Sequence, residues 1–138
     1  QTLDGIWSGQ PGNLQLIALQ GQPTPVQGGQ TVFGNLFNLL LNDLGQVVFA
    51  SDNGLWLADP IQGLSLIAET GDTIDVASGD TRTIFGIVPS DFNNRGQLTA
   101  NVLFADNSTG IFLITVPEPT TATLLMCAAL GLTINRRR

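Results

Sequence analysis

The fold is decided by the stretch Val47-Val48-Phe49-Ala50-Ser51-Asp52-Asn53-Gly54-Leu55-Trp56-Leu57-Ala58. Two short runs of Val, Leu and aromatic residues flank Asn53-Gly54, and this dipeptide suits the positive backbone angles of a tight hairpin turn. The stretch therefore predicts two adjacent antiparallel strands. Asp4-Gly5 has the same turn chemistry, and no segment before Thr120 keeps a helical period for long. We therefore expect an all-β body.

The sequence around this hairpin is repeated at spacings of about 50 residues, which indicates a modular fold. The matching segments are Gly5-Ile6-Trp7, Gly54-Leu55-Trp56 and Gly110-Ile111-Phe112; Leu14 to Ala18 and Leu64 to Ala68; Thr31 to Gly34 and Thr83 to Gly86; and Leu41 to Gln46 and Phe92 to Gln97. Each repeat contains four apolar runs separated by Gly, Pro, Asn and Asp, which is the pattern of strands and turns. Each repeat therefore predicts a four-stranded antiparallel sheet.

Four strands in about 50 residues are typical of β-propeller blades, or of stacked β-modules of that kind. We expect two such blade-like modules, residues 14–58 and residues 59–115. The sheet of the second module is expected over residues 64–115. In this interpretation Phe33 and Phe85 occupy equivalent buried positions.

The beginning of the chain predicts that further repeats lie upstream. By the hairpin rule, residues 1–13 hold the last strand, Leu3 to Ser8, of a sheet whose other strands are missing. Gln1 is not an initiator methionine, and neither a basic n-region nor an apolar h-region follows it. Two blades cannot close a ring. We therefore interpret the chain as the C-terminal fragment of a longer repeat array.

The composition of residues 1–115 excludes several classes of function. Ten carboxylates stand against two basic side chains, Arg82 and Arg95, which leaves a net charge of −8 and argues against nucleic acid as a partner. The chain has no His, Lys or Tyr, and its one cysteine, Cys127, lies outside this body. Catalysis by histidine, or by a serine or cysteine that needs a histidine, is therefore excluded within this chain.

The C-terminal segment, residues 116–138, has three parts. Val116-Pro117-Glu118-Pro119 is followed by an uncharged apolar run over residues 120–135 and then by Arg136-Arg137-Arg138. The prolines stop a helix from extending upstream. As a helix the run would be about 24 Å long, slightly short of the roughly 30 Å hydrocarbon core of a membrane. We predict a single transmembrane helix, with the arginines on the cytoplasmic side.

This order of Pro-Glu-Pro, apolar helix and basic terminus resembles the PEP-CTERM protein-sorting signal of exopolysaccharide-producing Gram-negative bacteria. The resemblance implies export through the Sec route, an inner-membrane-anchored precursor, and processing by an exosortase, a membrane cysteine transpeptidase-like enzyme. The product would stay at the cell surface or be secreted. An ordinary C-terminal membrane anchor is the alternative. The repeats also resemble, loosely, the Asn-Asp-x-Gly-Gln modules common in bacterial exported proteins.

Three carboxylates are candidates for catalysis. Asp72, Asp75 and Asp80 fall in one predicted loop, as a carboxylate pair for glycoside cleavage would. A solvated acidic loop is the alternative. We predict no catalytic residue in this chain.

Asp91, Asn93 and Gly96 are spaced like the start of a calcium loop, and oxygen ligands suit calcium. The sister repeat has Leu40 and Asn42 at the first two positions, so the acidic ligand is absent there. A plain turn is the alternative, and we predict no required metal or other cofactor.

The aromatic side chains Trp7 and Trp56 offer flat faces that could stack on sugars. Their position after the glycine of a repeated strand favours a place in the core instead. Asn107-Ser108-Thr109 matches an N-glycosylation acceptor, but we interpret it as a hairpin loop between Phe104 and Ile111.

We therefore predict a non-catalytic, exported envelope or extracellular-matrix protein. Its expected partners are an exosortase, the membrane before processing, and extracellular polysaccharide. The alternative is the C-terminal part of a secreted β-propeller enzyme acting on glycans, with an active site upstream.

Overall fold

The computed structural model describes residues 2–25 and 31–117, and within these ranges the chain is built from antiparallel β-strands. The ten strands are β1 (Gly5–Gln10), β2 (Asn13–Leu19), β3 (Leu36–Leu41), β4 (Val47–Ser51), β5 (Gly54–Asp59), β6 (Gly63–Glu69), β7 (Thr73–Ala77), β8 (Asp80–Phe92), β9 (Gln97–Phe104) and β10 (Thr109–Thr115). The predicted all-β body is confirmed. None of these residues forms a helix long and apolar enough to cross a membrane, and the predicted helix over residues 120–135 lies outside the described ranges.

The strands form three sheets. Sheet 1 is the hairpin β1-β2, sheet 2 has the order β3-β4-β5-β6, and sheet 3 has the order β10-β9-β8-β7. The predicted hairpin joins β4 to β5, with Ser51 opposite Gly54 and Val47 opposite Ala58. Its turn is formed by Asp52 and Asn53, and neither Asn53 nor Gly54 has the positive φ that the dipeptide predicted. Two of the sheets therefore have four antiparallel strands, as expected.

The sheets lie face to face, and sheet 2 is in the middle. Val47, Phe49 and Trp56 point toward sheet 1 and belong to one apolar cluster, whereas Val48 and Leu57 belong to a second cluster shared with sheet 3. Successive side chains of a strand point to opposite faces, so β4 and β5 consist mostly of apolar residues because both of their faces are covered. Every residue of these two strands is buried.

The division into sheets differs from the predicted modules at residues 14–58 and 59–115. Strand β6 pairs with β5, and β2 pairs with β1, so the four-stranded sheets comprise strands within residues 36–69 and 73–115. The reason is that only three residues connect β5 to β6, and a short antiparallel connection places the two strands side by side. Strand β1, which was expected to lack a partner, therefore has one.

The equivalence of Phe33 and Phe85 is wrong. Phe33 is 2% exposed and packs on Phe49 and Trp56, with ring centroids 6.0 and 5.0 Å away. Phe85 is 64% exposed, and its neighbour Ile84 is buried instead. A register irregularity lies between Ile84 and Gly86 in the pairing of β8 with β9. The backbone of Phe33 is bonded to Gly21 and Gln22 in the same way as that of Ile84 is bonded to Gly71 and Asp72, so the residue equivalent to Phe33 is Ile84.

Candidate processing site and the turns that hold it

The segment before the predicted processing motif is held by two turns of identical construction. In the first, the side-chain oxygen of Asn42 accepts the backbone N–H groups of Leu44 and Gln46 at 3.1 and 3.0 Å. Its side-chain nitrogen donates to Gln46 Oε1 at 2.9 Å. Gly45 has φ of 80°, a conformation that glycine adopts without steric cost. Asparagine suits this position because its side chain can replace a backbone group in a turn.

The second turn repeats the first. Asn93 Oδ1 accepts the backbone N–H groups of Arg95 and Gln97 at 2.9 and 3.0 Å, and Asn93 Nδ2 donates to Gln97 Oε1 at 2.9 Å. Gly96 has φ of 71°. The predicted reversals before β4 and β9 are confirmed, and the pattern Asn-x-x-Gly-Gln encodes them.

The two turns lie side by side and are bonded to each other. Asn42 Nδ2 donates to the carbonyl of Asn93 at 3.1 Å. The backbone N–H of Asp43 donates to Asn94 Oδ1 at 2.8 Å, and Asn94 Nδ2 donates back to Asp43 Oδ2 at 2.8 Å. We call residues 42–46 and 93–97 the turn stack. It joins sheet 2 to sheet 3 at one edge by polar contacts, alongside their apolar core.

Gln46 is the centre of the turn stack. Its side chain is fully buried, and Nε2 donates both to Asp59 Oδ2 at 3.1 Å and to the carbonyl of Pro117 at 2.8 Å. Asp59 is also buried, and its Oδ1 accepts the N–H groups of Ile61 and Gln62 at 2.8 and 2.9 Å. A buried carboxylate is costly unless hydrogen bonds compensate it, and Asp59 receives three. Gln46 and Asp59 thus fix the backbone at Ile61, Gln62 and Pro117. Their polar atoms are used in these bonds and are not available for catalysis.

Val116, the first residue of the predicted processing motif, is part of the folded body. Its backbone N–H donates to the carbonyl of Gly96 at 2.8 Å, and its side chain is 5% exposed within the core between sheets 2 and 3. A Cβ on Gly96 would lie 2.7 Å from the Val116 carbonyl oxygen, so only glycine permits this approach. Pro117 is exposed. The other predicted motif residues, Glu118, Pro119, Arg136, Arg137 and Arg138, lie outside the described ranges.

The three candidate acids each have a separate structural role. Asp72 Oδ2 accepts the N–H of Glu69 at 2.9 Å, and Asp75 Oδ1 accepts the hydroxyl of Thr81 at 2.6 Å. The hydrogen bond from Arg82, at 2.8 Å, lowers the pKa of Asp80. A general acid for glycoside cleavage needs a raised pKa. The shift at Asp80 is in the opposite direction, so this carboxylate is not tuned as a proton donor.

The calcium-like spacing corresponds to the second turn. Asn93 Oδ1 already accepts two backbone N–H groups, and Asp91 Oδ1 accepts the N–H of Phe92 at 3.0 Å. Among the residues the structure describes, no three His, Cys, Asp or Glu side chains form a group able to hold a metal ion. The oxygens at this position thus support the turn.

The two tryptophans differ in environment. Trp56 is 1% exposed, and its Nε1 donates to Ser51 Oγ at 2.9 Å, so the core prediction is confirmed there. For Trp7 that prediction is wrong, because its side chain is 53% exposed on the outer face of sheet 1. The predicted loop at Asn107 is confirmed as the hairpin turn joining β9 to β10, and Asn107 has φ of 66°.

A groove that the sequence did not predict lies between the β1-β2 and β5-β6 hairpins. Its volume is about 670 Å³, and its lining combines amide side chains (Gln10, Asn13, Gln15) with apolar ones (Ile17, Ile61). These residues belong to two hairpins about 50 positions apart, so no local sequence signal could have found the groove.

The described residues therefore define an all-β protein of face-to-face antiparallel sheets, with two similar Asn-x-x-Gly-Gln turns that hold the chain at Val116-Pro117. The chain belongs to the DUF7453 family, a family of unknown function, whose model matches residues 1–123. Neither the curated proteins nor the solved structures gave a match.

Proposed function

We propose that this protein is an exported bacterial envelope or extracellular-matrix protein whose C-terminal segment is a PEP-CTERM-type sorting signal. The observation that carries the proposal is the order of Pro117-Glu118-Pro119, an uncharged apolar run, and Arg136-Arg137-Arg138 at the C-terminal end. The apolar run anchors the precursor in the inner membrane. An exosortase then cuts near the Pro-Glu-Pro tripeptide, and the β-body stays at the cell surface or is released.

The position of Val116-Pro117 supports this proposal. Both residues are bonded to the turn stack, so the tripeptide begins where the folded body ends. A membrane enzyme that approaches the tripeptide therefore meets the rigid edge of sheets 2 and 3 directly, with no flexible linker between body and signal. The cut leaves the body intact because the cores on both faces of sheet 2 lie upstream of Glu118.

The body itself is proposed to bind rather than to catalyse. Residues 1–115 have a net charge of −8 and contain no histidine, lysine or cysteine, which are common catalytic residues. The groove between the two hairpins offers amides that can hydrogen-bond to sugar hydroxyls, next to apolar side chains that can contact sugar rings. Extracellular polysaccharide is the ligand class that this lining fits.

A second candidate is the C-terminal part of a secreted β-propeller enzyme that acts on glycans. The observation that favours it is that sheets 2 and 3 are both four-stranded meanders, in the orders β3-β4-β5-β6 and β10-β9-β8-β7, packed face to face. This arrangement is blade-like. A catalytic domain encoded upstream in the parent reading frame would favour the enzyme, whereas additional repeats alone would favour the structural protein.

Sorting is tested in a host with a working exosortase by mass spectrometry of the mature protein. The expected product has lost the apolar run and the arginines, and replacing Pro117-Glu118-Pro119 by three alanines leaves the full-length precursor in the membrane fraction. Pro11→Ala, in the exposed turn of sheet 1, is the control and should be processed normally. A wild-type mass that is the same with and without exosortase would refute the sorting proposal.

Binding is tested separately by incubating the protein with a panel of extracellular polysaccharides, with and without calcium. Retention on a polymer without release of reducing ends is expected, and Asn13→Ala with Gln15→Ala should weaken it. Release of reducing ends that disappears in Asp72→Asn or Asp80→Asn would overturn the binding proposal in favour of a hydrolase.

A further inference from the structure

The two ends of the β-body differ in composition. We call the turn stack, the turn at residues 60–62 and Pro117 the near end, because the bonds of Gln46 and Asp59 hold these three parts together. The far end is formed by the opposite ends of the strands, with the connections after β4, β6, β7 and β9. Arg82 marks the far end through its ion pairs with Asp80 and Asp106.

Most of the acidic side chains lie at the far end. It holds seven of the ten carboxylates of residues 1–115 together with Arg82, whereas the near end holds three together with Arg95. The far-end carboxylates are Asp4, Asp52, Glu69, Asp72, Asp75, Asp80 and Asp106, and the near-end carboxylates are Asp43, Asp59 and Asp91. The net charge is therefore −6 at the far end and −2 at the near end.

The near end also exposes apolar side chains at the tips of its turns. Leu44 is 38% exposed and Ile61 is 53% exposed. Their turns are in contact, since a Cβ on Gly45 would lie 3.7 Å from the ring of Pro60. Arg95, at the tip of the neighbouring turn, is exposed and forms no ion pair with the described residues.

Stacking of further sheets does not cover the near end. Sheets pack through their faces, and the near end consists of turns at the ends of strands. Its exposed side chains therefore stay open however many repeats precede sheet 1.

The proposed membrane anchor begins a short distance from the near end. Pro117 is bonded to Gln46, and the uncharged apolar run begins at residue 120. Three residues of chain span at most about 11 Å when fully extended. With the run embedded in a bilayer, the near end lies within roughly 10 Å of the lipid headgroups, a distance over which charges still interact at 0.1 M salt.

We propose that the near end is a contact surface for the headgroup region of the membrane, and that the far end points away from it. This inference rests on the membrane anchor of the proposed function and adds the orientation of the body. Arg95 contacts lipid phosphates, while Leu44 and Ile61 enter the boundary between headgroups and acyl chains, where apolar side chains are stabilised.

The distribution of charge fits this orientation. An anionic lipid surface attracts arginine and repels carboxylates. Strand β8 runs from the far end to the near end over 13 residues, which corresponds to about 43 Å. Salt screens the repulsion over that distance, so the acidic far end does not oppose the contact.

The test measures which end of the full chain lies close to lipid. Vesicles of phosphatidylethanolamine and phosphatidylglycerol contain a headgroup spin-labelled lipid that quenches fluorescence. Cys127, the one cysteine of the chain, is replaced by serine, and Gln62→Cys at the near end or Ser78→Cys at the far end takes the fluorescent label. Both positions are exposed. Flotation of the vesicles reports separately whether the protein is anchored.

The label at position 62 should lose most of its fluorescence, and the label at position 78 should keep it. Leu44→Asp with Ile61→Asp should restore most of the fluorescence at position 62 by placing two charges at the contact. Thr70→Asp with Ser78→Asp is the matched control, since it adds the same charges at exposed far-end positions, and it should leave the quenching unchanged. Circular dichroism checks the fold of both variants.

The possible failures are distinguishable. A protein that does not float with the vesicles would refute the membrane anchor and this inference with it. Flotation with equal quenching at positions 62 and 78, or with quenching at neither, would overturn the orientation while the anchor stands. Undiminished quenching in the Leu44→Asp, Ile61→Asp variant would overturn the contact assigned to these two side chains.

Discussion

Replacing Gln46 by leucine should destabilise the protein and loosen the chain at the start of the processing motif. The change removes two hydrogen bonds donated by Nε2, to Asp59 and to the Pro117 carbonyl, and one accepted by Oε1 from Asn42. Two of the three partners, Asn42 and Asp59, are buried and the third, Pro117, is exposed, and losing the three bonds costs roughly 4 to 5 kcal/mol. Burying leucine at this fully enclosed position offsets about 2 kcal/mol. The expected net loss in the free energy of unfolding is about 2 to 3 kcal/mol.

The matched control is Gln97→Leu at the same position of the second turn. Gln97 is only half-buried, and among the described residues its side chain makes one hydrogen bond, with Asn93, so the expected loss is about 0.5 kcal/mol. Urea unfolding of the full chain measures both variants. With a slope of about 2 kcal/mol per molar urea, the Gln46→Leu midpoint should fall by about 1 M more than that of the control.

Hydrogen exchange supplies the local measurement. The Val116 amide donates to the Gly96 carbonyl next to the bond that Gln46 makes with Pro117, so Gln46→Leu should speed its exchange more than Gln97→Leu does. Equal urea midpoints for the two variants, or unchanged exchange at Val116, would refute the role assigned to Gln46.

Three further predictions follow from burial, close contacts and charge. Phe33→Ala should lower the free energy of unfolding by about 3 to 5 kcal/mol because it leaves a cavity, whereas Phe85→Ala should change it by less than about 0.5 kcal/mol. Urea unfolding measures both variants, and similar losses would contradict the observed difference in burial. Gly54→Ala should lower the free energy of unfolding by about 1 to 3 kcal/mol, because the added Cβ would lie 2.5 Å from a backbone oxygen. A Cβ added at Gly86 has no neighbouring atom within 4 Å, so Gly86→Ala should melt at the same temperature as the wild type. Because the pKa of Asp80 is lowered in the folded protein, its ion pair with Arg82 stabilises the fold above the ordinary aspartate pKa, and this contribution is lost as the pH falls through the lowered pKa. Lowering the pH below about 4 should therefore reduce the stability of Asp80→Asn less than that of the wild type. Identical acid unfolding curves for the two proteins would contradict this prediction.

Local sequence predicted the Asn-x-x-Gly-Gln turns correctly because their conformations depend on residue type. Each needs an asparagine whose side chain accepts backbone N–H groups and a glycine at positive φ, which few other residues can replace. At Asn53-Gly54 the sequence located the hairpin but not its backbone angles, since neither residue has a positive φ. The same local signals marked most of the strands, and β6 and β2 were also located correctly. The sequence did not show which strands β2 and β6 pair with. The short connection after Asp59 places β6 in sheet 2, although the repeat pattern suggested that this strand opens the next module.

Burial and long-range contacts were decided only by the tertiary structure. Trp7 and Trp56 stand in the same motif, yet one is 53% and the other 1% exposed, because within the described residues a neighbouring sheet covers only Trp56. The bond between Gln46 and Pro117 joins residues 71 positions apart, so neither residue by itself signals that the processing motif is anchored in the fold. A sequence pattern fixes which face of a strand is apolar, but the cover on that face comes from segments far away in the chain.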